Sequence, residues 1–222
     1  MASAQGPAPP RWLICPSGAV AIPTGRFAET IKGENPKDGH KTGFTGALEL
    51  GRFLSQRLAV GIAAGYTRFP LDFSIPLEQE GSTKVLMGQL WGRYFLAGGY
   101  AHWQPYLSAG IGIGRPKVSI DFPIPVRMED TLLVDRLEST VDLSLSLTGG
   151  VGVRVPIGDR LAFLFEPRYV SISTKGTNRT DKLRTTDGRM REDRYAEDGS
   201  RLKDKSRTNW WDIRVGVMLS LF

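Results

Sequence analysis

Apolar and polar side chains alternate one by one along several stretches of this chain. From Trp210 to Phe222, Trp211, Ile213, Val215, Val217, Leu219 and Leu221 form one row. Asp212, Arg214, Gly216 and Ser220 form the other. The same period runs from Val141 to Val155, where Val141, Leu143, Leu145, Leu147, Val151, Val153 and Val155 oppose Asp142, Ser144, Ser146, Thr148, Gly150, Gly152 and Arg154 up to Pro156. Shorter rows occupy Phe44 to Leu50, Leu58 to Thr67, Tyr106 to Gly114 and Leu161 to Tyr169. Lys84 to Leu96 and Arg11 to Ile22 alternate less cleanly, and Pro16 is expected to interrupt the latter. Period two predicts strands, eight in all, and no segment carries a helical period.

The segments between these strands alternate in length. Residues 23–43, 68–84, 114–140 and 172–209 are long, polar and rich in Gly, Pro or charge, whereas 52–57, 97–104 and 156–160 are short. Strands with one apolar face, joined by long loops at one end and tight turns at the other, predict an all-β fold. The expected form is an eight-stranded antiparallel up-and-down transmembrane β-barrel with four long extracellular loops and short periplasmic turns. An even strand number brings both termini to the short-turn end. The barrel is expected over residues 11–222, after a disordered segment 1–10. Ala2-Ser3-Ala4 has the small residues of a cleavage site, so that segment is either a signal-peptide remnant or a featureless terminus.

With 222 residues the chain is long enough for one such barrel, and it has no apolar run long enough for a spanning helix. A mildly negative mean hydropathy fits strands that face lipid on one side only. Cys15 is the only cysteine, so no intrachain disulfide forms, and it reads as a small packing residue. Parity turns Phe44, Tyr66, Tyr169 and Trp211 outward near the long loops and Trp12 and Tyr94 outward near the short turns, as two aromatic girdles would require.

Parity also assigns a polar interior of Glu49, Gln89, Arg93, Asp142, Arg154, Glu166, Arg168, Asp212 and Arg214. The signs nearly balance, which predicts paired networks, with Glu166 and Arg214 as one candidate pair. Gly, Ala, Ser and Thr on the third and fifth strands flank the large Gln89, Trp91 and Arg93 on the fourth, so the lumen is expected to be plugged. The loop 172–209 carries both signs with a basic excess. Arg184, Arg189, Arg191, Arg194, Arg201, Lys203 and Lys205 form a candidate surface for lipopolysaccharide phosphates or an acidic protein. A pI near 9.6 invites nucleic acid, but basic residues concentrated in one acid-interleaved loop argue against it. His40 and His102 fall at opposite ends of the expected barrel, so they share neither a metal nor a catalytic site, and no enzyme or cofactor is expected.

Two stretches resemble a known family. Gln104-Pro105-Tyr106-Leu107-Ser108-Ala109-Gly110-Ile111-Gly112-Ile113-Gly114 is similar to the P-Y-x-x-A-G-x-G-x-G strand of the small outer-membrane barrels, the OmpA/OmpX/Opa-like group. Arg214, Gly216, Leu219 and Leu221, followed by Phe222, resemble the C-terminal signal read by the barrel-assembly machinery. The resemblance covers the chain beyond Arg11 and lacks the peptidoglycan-binding domain of full-length OmpA-type proteins. It implies the outer membrane of a Gram-negative-type bacterium, with outer-membrane lipid, the assembly machinery and an envelope protein as partners. The leading functional expectation is a non-enzymatic structural, adhesion or assembly-docking role. The alternatives are a narrow small-solute pore and a soluble lipocalin-like barrel with its apolar faces turned inward.

Overall fold

The computed structural model describes residues 12–28, 39–72, 80–96, 102–128, 132–174, 179–186, 190–193 and 207–221. Eight strands follow the period-two rows. They are β1 (Trp12–Pro23), β3 (Gly43–Phe53), β4 (Leu58–Asp72), β5 (Glu80–Phe95), β6 (Gln104–Met128), β8 (Ser144–Ile157), β9 (Leu161–Ser173) and β12 (Arg207–Leu221). Each pairs antiparallel with the next, and β12 pairs back onto β1, so the sheet closes. Closure leaves these strands without the unpaired edges that lipid cannot satisfy. Apolar side chains point outward: Ile62, Leu86, Leu90, Leu147, Val151 and Val215 are each more than half exposed. That is the reverse of a soluble ligand-binding barrel, which hides its apolar faces within.

β1 runs through Pro16 without losing register. Ile14 pairs with Leu219 and Ser17 with Gly216, while the β1–β12 ladder omits Cys15 and Pro16. Both of those residues keep partners on β3. The missing proline N–H therefore interrupts one ladder locally and leaves the strand intact.

The long connections are shorter than the sequence suggests, because strands continue into them. β6 is 25 residues long. It pairs with β8 through Gly114 and, from Lys117 onward, with β7 (Leu132–Val141). β10 (Arg179–Thr185) pairs with β7, and β11 (Met190–Asp193) with β10. The expected loops 114–140 and 172–209 thus contain a four-stranded sheet growing out of the barrel wall. Alternation of Val118, Ile120 and Phe122 with Lys117, Ser119 and Asp121 carries β6 outward, with Pro116 at its change of partner. A two-residue strand, β2 (Gly39–His40), pairs with the far end of β4.

The lumen is layered. Near the short turns it holds an apolar tier of Leu13, Phe95, Tyr106, Leu164 and Met218, with Trp91 beside them. Near the long loops it holds a second apolar tier of Phe69, Met87, Val170, Ile172 and Trp210, with Phe27 above. Charged side chains occupy the space between.

Candidate functional site

β-strand register brings the middle-tier charges together. Glu49 on β3 receives the guanidinium of Arg214 in a short contact and pairs with Arg93 Nη2 at 2.8 Å. The latter is an ion pair outside hydrogen-bond geometry, since Glu49 Oε2 has no hydrogen-bond partner among the described residues. The same Arg93 Nη2 donates to Glu166 at 3.1 Å, and Tyr106 Oη and Ser108 Oγ donate to that carboxylate at 2.9 and 2.8 Å. Arg214 Nε donates to Ser17 Oγ at 2.7 Å. Arg93 lies 4.8 Å from the Trp91 ring centroid and 5.2 Å from that of Tyr106, so both ring faces share its charge.

A second cluster lies nearer the long loops. Arg168 donates to Asp212 Oδ2 through Nε at 3.0 Å and Nη2 at 2.8 Å. Trp210 Nε1 and Thr45 Oγ1 donate to Oδ1 at 2.8 and 3.1 Å. Asp212 is fully buried, and all of its charge is taken up by these donors. The two clusters set Glu49, Glu166 and Asp212 against Arg93, Arg168 and Arg214, so the buried charge cancels.

Two other expected members lie at the margins of these clusters. Gln89 accepts from Thr148 Oγ1 at 3.3 Å, and Arg154 donates to Gln104. Asp142 is a correction. It is exposed, between β7 and β8, and outside the network. The continuous row expected from Val141 to Val155 breaks there: Val141 is buried while Leu143 is 60% exposed. Glu166 and Arg214 stand opposite in register, but neither is the other's hydrogen-bond partner, a second correction.

Close packing locks the interior. A Cβ on Gly51 would lie 2.5 Å from the Trp91 ring, and one on Gly61 would lie 2.7 Å from it and 2.1 Å from the Leu50 carbonyl oxygen. The indole fills the notch these glycines leave, and its Nε1 donates to the Ile62 carbonyl at 3.0 Å.

A lid covers the upper tier, and no local sequence pattern announces it. A short 3-10 turn, Gly25–Phe27, drops Phe27 into the barrel mouth, where it stacks on His40 at 4.0 Å and meets Phe69 edge-on at 5.0 Å. His40 Nδ1–H donates to the Phe27 carbonyl at 2.7 Å, which leaves Nε2 to accept from Thr83 Oγ1 at 2.6 Å. Burial holds the imidazole pKa down to about 4 against the opposing hydrogen bond to Phe27, so the ring is neutral. The only hint in the sequence is an isolated histidine in a polar segment. His102, by contrast, is exposed at the other end. Among the described residues no group of His, Cys, Asp or Glu is arranged to hold a metal.

Of the expected aromatic positions, Trp12, Phe44, Tyr66, Tyr94 and Trp211 are exposed on the outer wall and Tyr169 is half-buried, packed on Trp211 at 5.3 Å. Arg184 pairs with Asp135 at 2.9 Å, and Arg191 lies in β11. Arg189, Arg194, Arg201, Lys203, Lys205 and Phe222 lie outside the described residues. Arg214, Gly216, Leu219 and Leu221 all lie on β12, Arg214 and Gly216 facing the lumen and the two leucines facing out.

Residues 24–188 match the family of the outer membrane protein beta-barrel domain. The chain belongs to that family. It is a bacterial outer-membrane barrel. Solved structures share the outer-membrane fold at low identity. The Neisserial surface protein A is 13% identical with a TM-score of 0.54, over 95% of this chain and 97% of that one. A major outer membrane protein from Thermus thermophilus is 10% identical with a TM-score of 0.59, over 94% and 98%. No curated protein matches the chain in sequence.

Proposed function

We propose that this outer-membrane barrel is a non-enzymatic surface protein that engages an acidic partner through the sheet its strands raise above the membrane. The observation that carries this reading is the asymmetry of the molecule. Within the membrane the lumen is filled by a neutralised ion network between two apolar tiers. Outside it, β6, β7, β10 and β11 form a platform whose last two strands belong to the basic-rich segment 172–209. Ion pairs brace the platform: Lys117 to Glu138 at 2.7 Å, Arg136 to Glu138 at 2.8 Å and Arg184 to Asp135 at 2.9 Å. The Lys117 ammonium beside Glu138 holds its carboxyl below the usual range.

Folded barrel in bilayer discs is passed over immobilised polyglutamate and heparin. The reading predicts salt-sensitive retention that is lost when residues 179–206 are replaced by a short Gly-Ser turn, with the heat-modifiable gel shift retained. Equal retention of both proteins, or of neither, contradicts it. Stable single-channel steps from the pure protein in planar bilayers would favour a solute pore instead.

A further inference from the structure

The outer wall of β4, β5 and β6 is stratified in a way that the platform does not require. Lowest is an apolar band, with Leu86, Leu90 and Ile113 about half exposed or more and the exposed Arg115 opposite Leu86 at its upper edge. Directly above it stands a row of three cations in cross-strand register, Arg68 opposite Lys84 and Lys84 opposite Lys117. One step higher, Ser82 faces Ser119, and above them Glu80 faces Asp121. Successive rows on one face are about 7 Å apart.

Like charges directly opposite on adjacent strands destabilise a sheet unless something neutralises them. Lys117 is held by Glu138, and Asp121 lies 3.5 Å from Arg136. Arg68 and Lys84 have no ion-pair partner among the described residues. Arg68, Ser82, Ser119, Glu80 and Asp121 line a cavity of about 290 Å³. Ser119 is 5% exposed, and its hydroxyl has no hydrogen-bond partner among the described residues. A buried hydroxyl without a protein partner beside a cavity can donate to and accept from a group placed there.

We infer that this wall binds a phosphorylated glycolipid of the outer leaflet. Its acyl chains lie on the apolar band, its phosphate on the Arg68–Lys84–Lys117 row and its sugar in the cavity above. The order of the rows sets the order of the ligand's parts. Cations lie next to the acyl level, where a headgroup phosphate sits. Carboxylates lie farthest out, where they would repel phosphate but accept hydrogen bonds from sugar hydroxyls. The Ser119 hydroxyl gains its missing partner from the sugar. The site spans the top of the barrel wall and the base of the platform on β6, and it leaves out β10 and β11, which the acidic-partner reading uses.

The test uses the full chain in detergent, with native mass spectrometry of bound lipid. The probes are bis-phosphorylated lipid A, its dephosphorylated form and phosphatidylglycerol, and folding is checked by heat-modifiable mobility. Lipid A should bind in preference to both other lipids. Arg68→Ser/Lys84→Ser should weaken lipid A about tenfold or more, the loss expected for one or two charge-assisted hydrogen bonds. Ser119→Val should weaken lipid A while leaving phosphatidylglycerol unchanged. Unaltered lipid A binding by the folded double variant overturns the site. Equal binding of lipid A and phosphatidylglycerol, with Ser119→Val neutral toward both, overturns the glycolipid assignment in favour of a general anionic-lipid surface.

Discussion

Arg214 on β12 and Glu166 on β9 face each other in register, yet each is neutralised by a different strand. Arg214 reaches Glu49 on β3, and Glu166 receives Arg93 from β5. Arg93 also touches Glu49, so the four side chains form one chain of alternating charge across the lumen. Cross-lumen pairing ties together strands that are not neighbours in the sheet.

That arrangement makes Arg93 the member with most to lose. Removing one carboxylate leaves it the other, whereas removing both leaves an unpaired buried guanidinium. Glu166→Gln should destabilise the barrel modestly, Glu49→Gln by about 3–5 kcal/mol because it also strips Arg214 of its only ion-pair partner among the described residues, and the double variant by more than the two single costs combined. Urea titration of the heat-modifiable band checks this. Simple additivity would mean that the two carboxylates act independently.

Trp91 sits in the notch left by Gly51 and Gly61. Gly61→Ala places a methyl within 2.1 Å of the Leu50 carbonyl oxygen as well as against the indole. A cost of about 1–3 kcal/mol is expected, as for overpacking elsewhere. Trp91→Leu should not rescue it, because the backbone contact remains. The urea midpoints of the three proteins decide the point.

His40 gives the lid a pH dependence of definite sign. Its folded pKa, near 4, lies below the ordinary 6.5, so the unfolded or opened state binds the proton more readily. The lid is therefore at full strength above about pH 6.5 and weakens as pH falls toward 4, by about 3 kcal/mol in all. Hydrogen exchange at residues 25–28 and 39–41 should accelerate over that window. In His40→Gln, whose amide keeps a donor and an acceptor but does not titrate, the pH effect should disappear.

The eight barrel strands are legible in the sequence because lipid on one side and the filled lumen on the other enforce alternation, as in Ser144–Val155 and Trp211–Leu221. The paired nature of the interior is legible from its charge balance. Partner choice is not, because Glu166 reaches Arg93 across a lumen whose geometry depends on barrel stagger. The two apolar tiers escape the pattern, since Leu164, Met87 and Trp210 lie on the inward parity where polar residues are expected. Pro116 and the surrounding charges make the outward run of β6 read as loop, and Asp142 reads as part of a strand that begins two residues later. The Phe27–His40 lid depends on a long-range contact that no local pattern records.

Spin labels placed singly at positions 211–218 of β12, with Cys15 replaced by Ser and the barrel in lipid bilayers, test the arrangement most directly. Odd positions should show high collision rates with oxygen and low rates with a water-soluble nickel chelate, and even positions low rates with both. High nickel accessibility at 212, 214 and 216 would reveal a hydrated channel in place of the sealed ionic tier. Loss of the odd–even pattern would contradict the lipid-facing barrel itself.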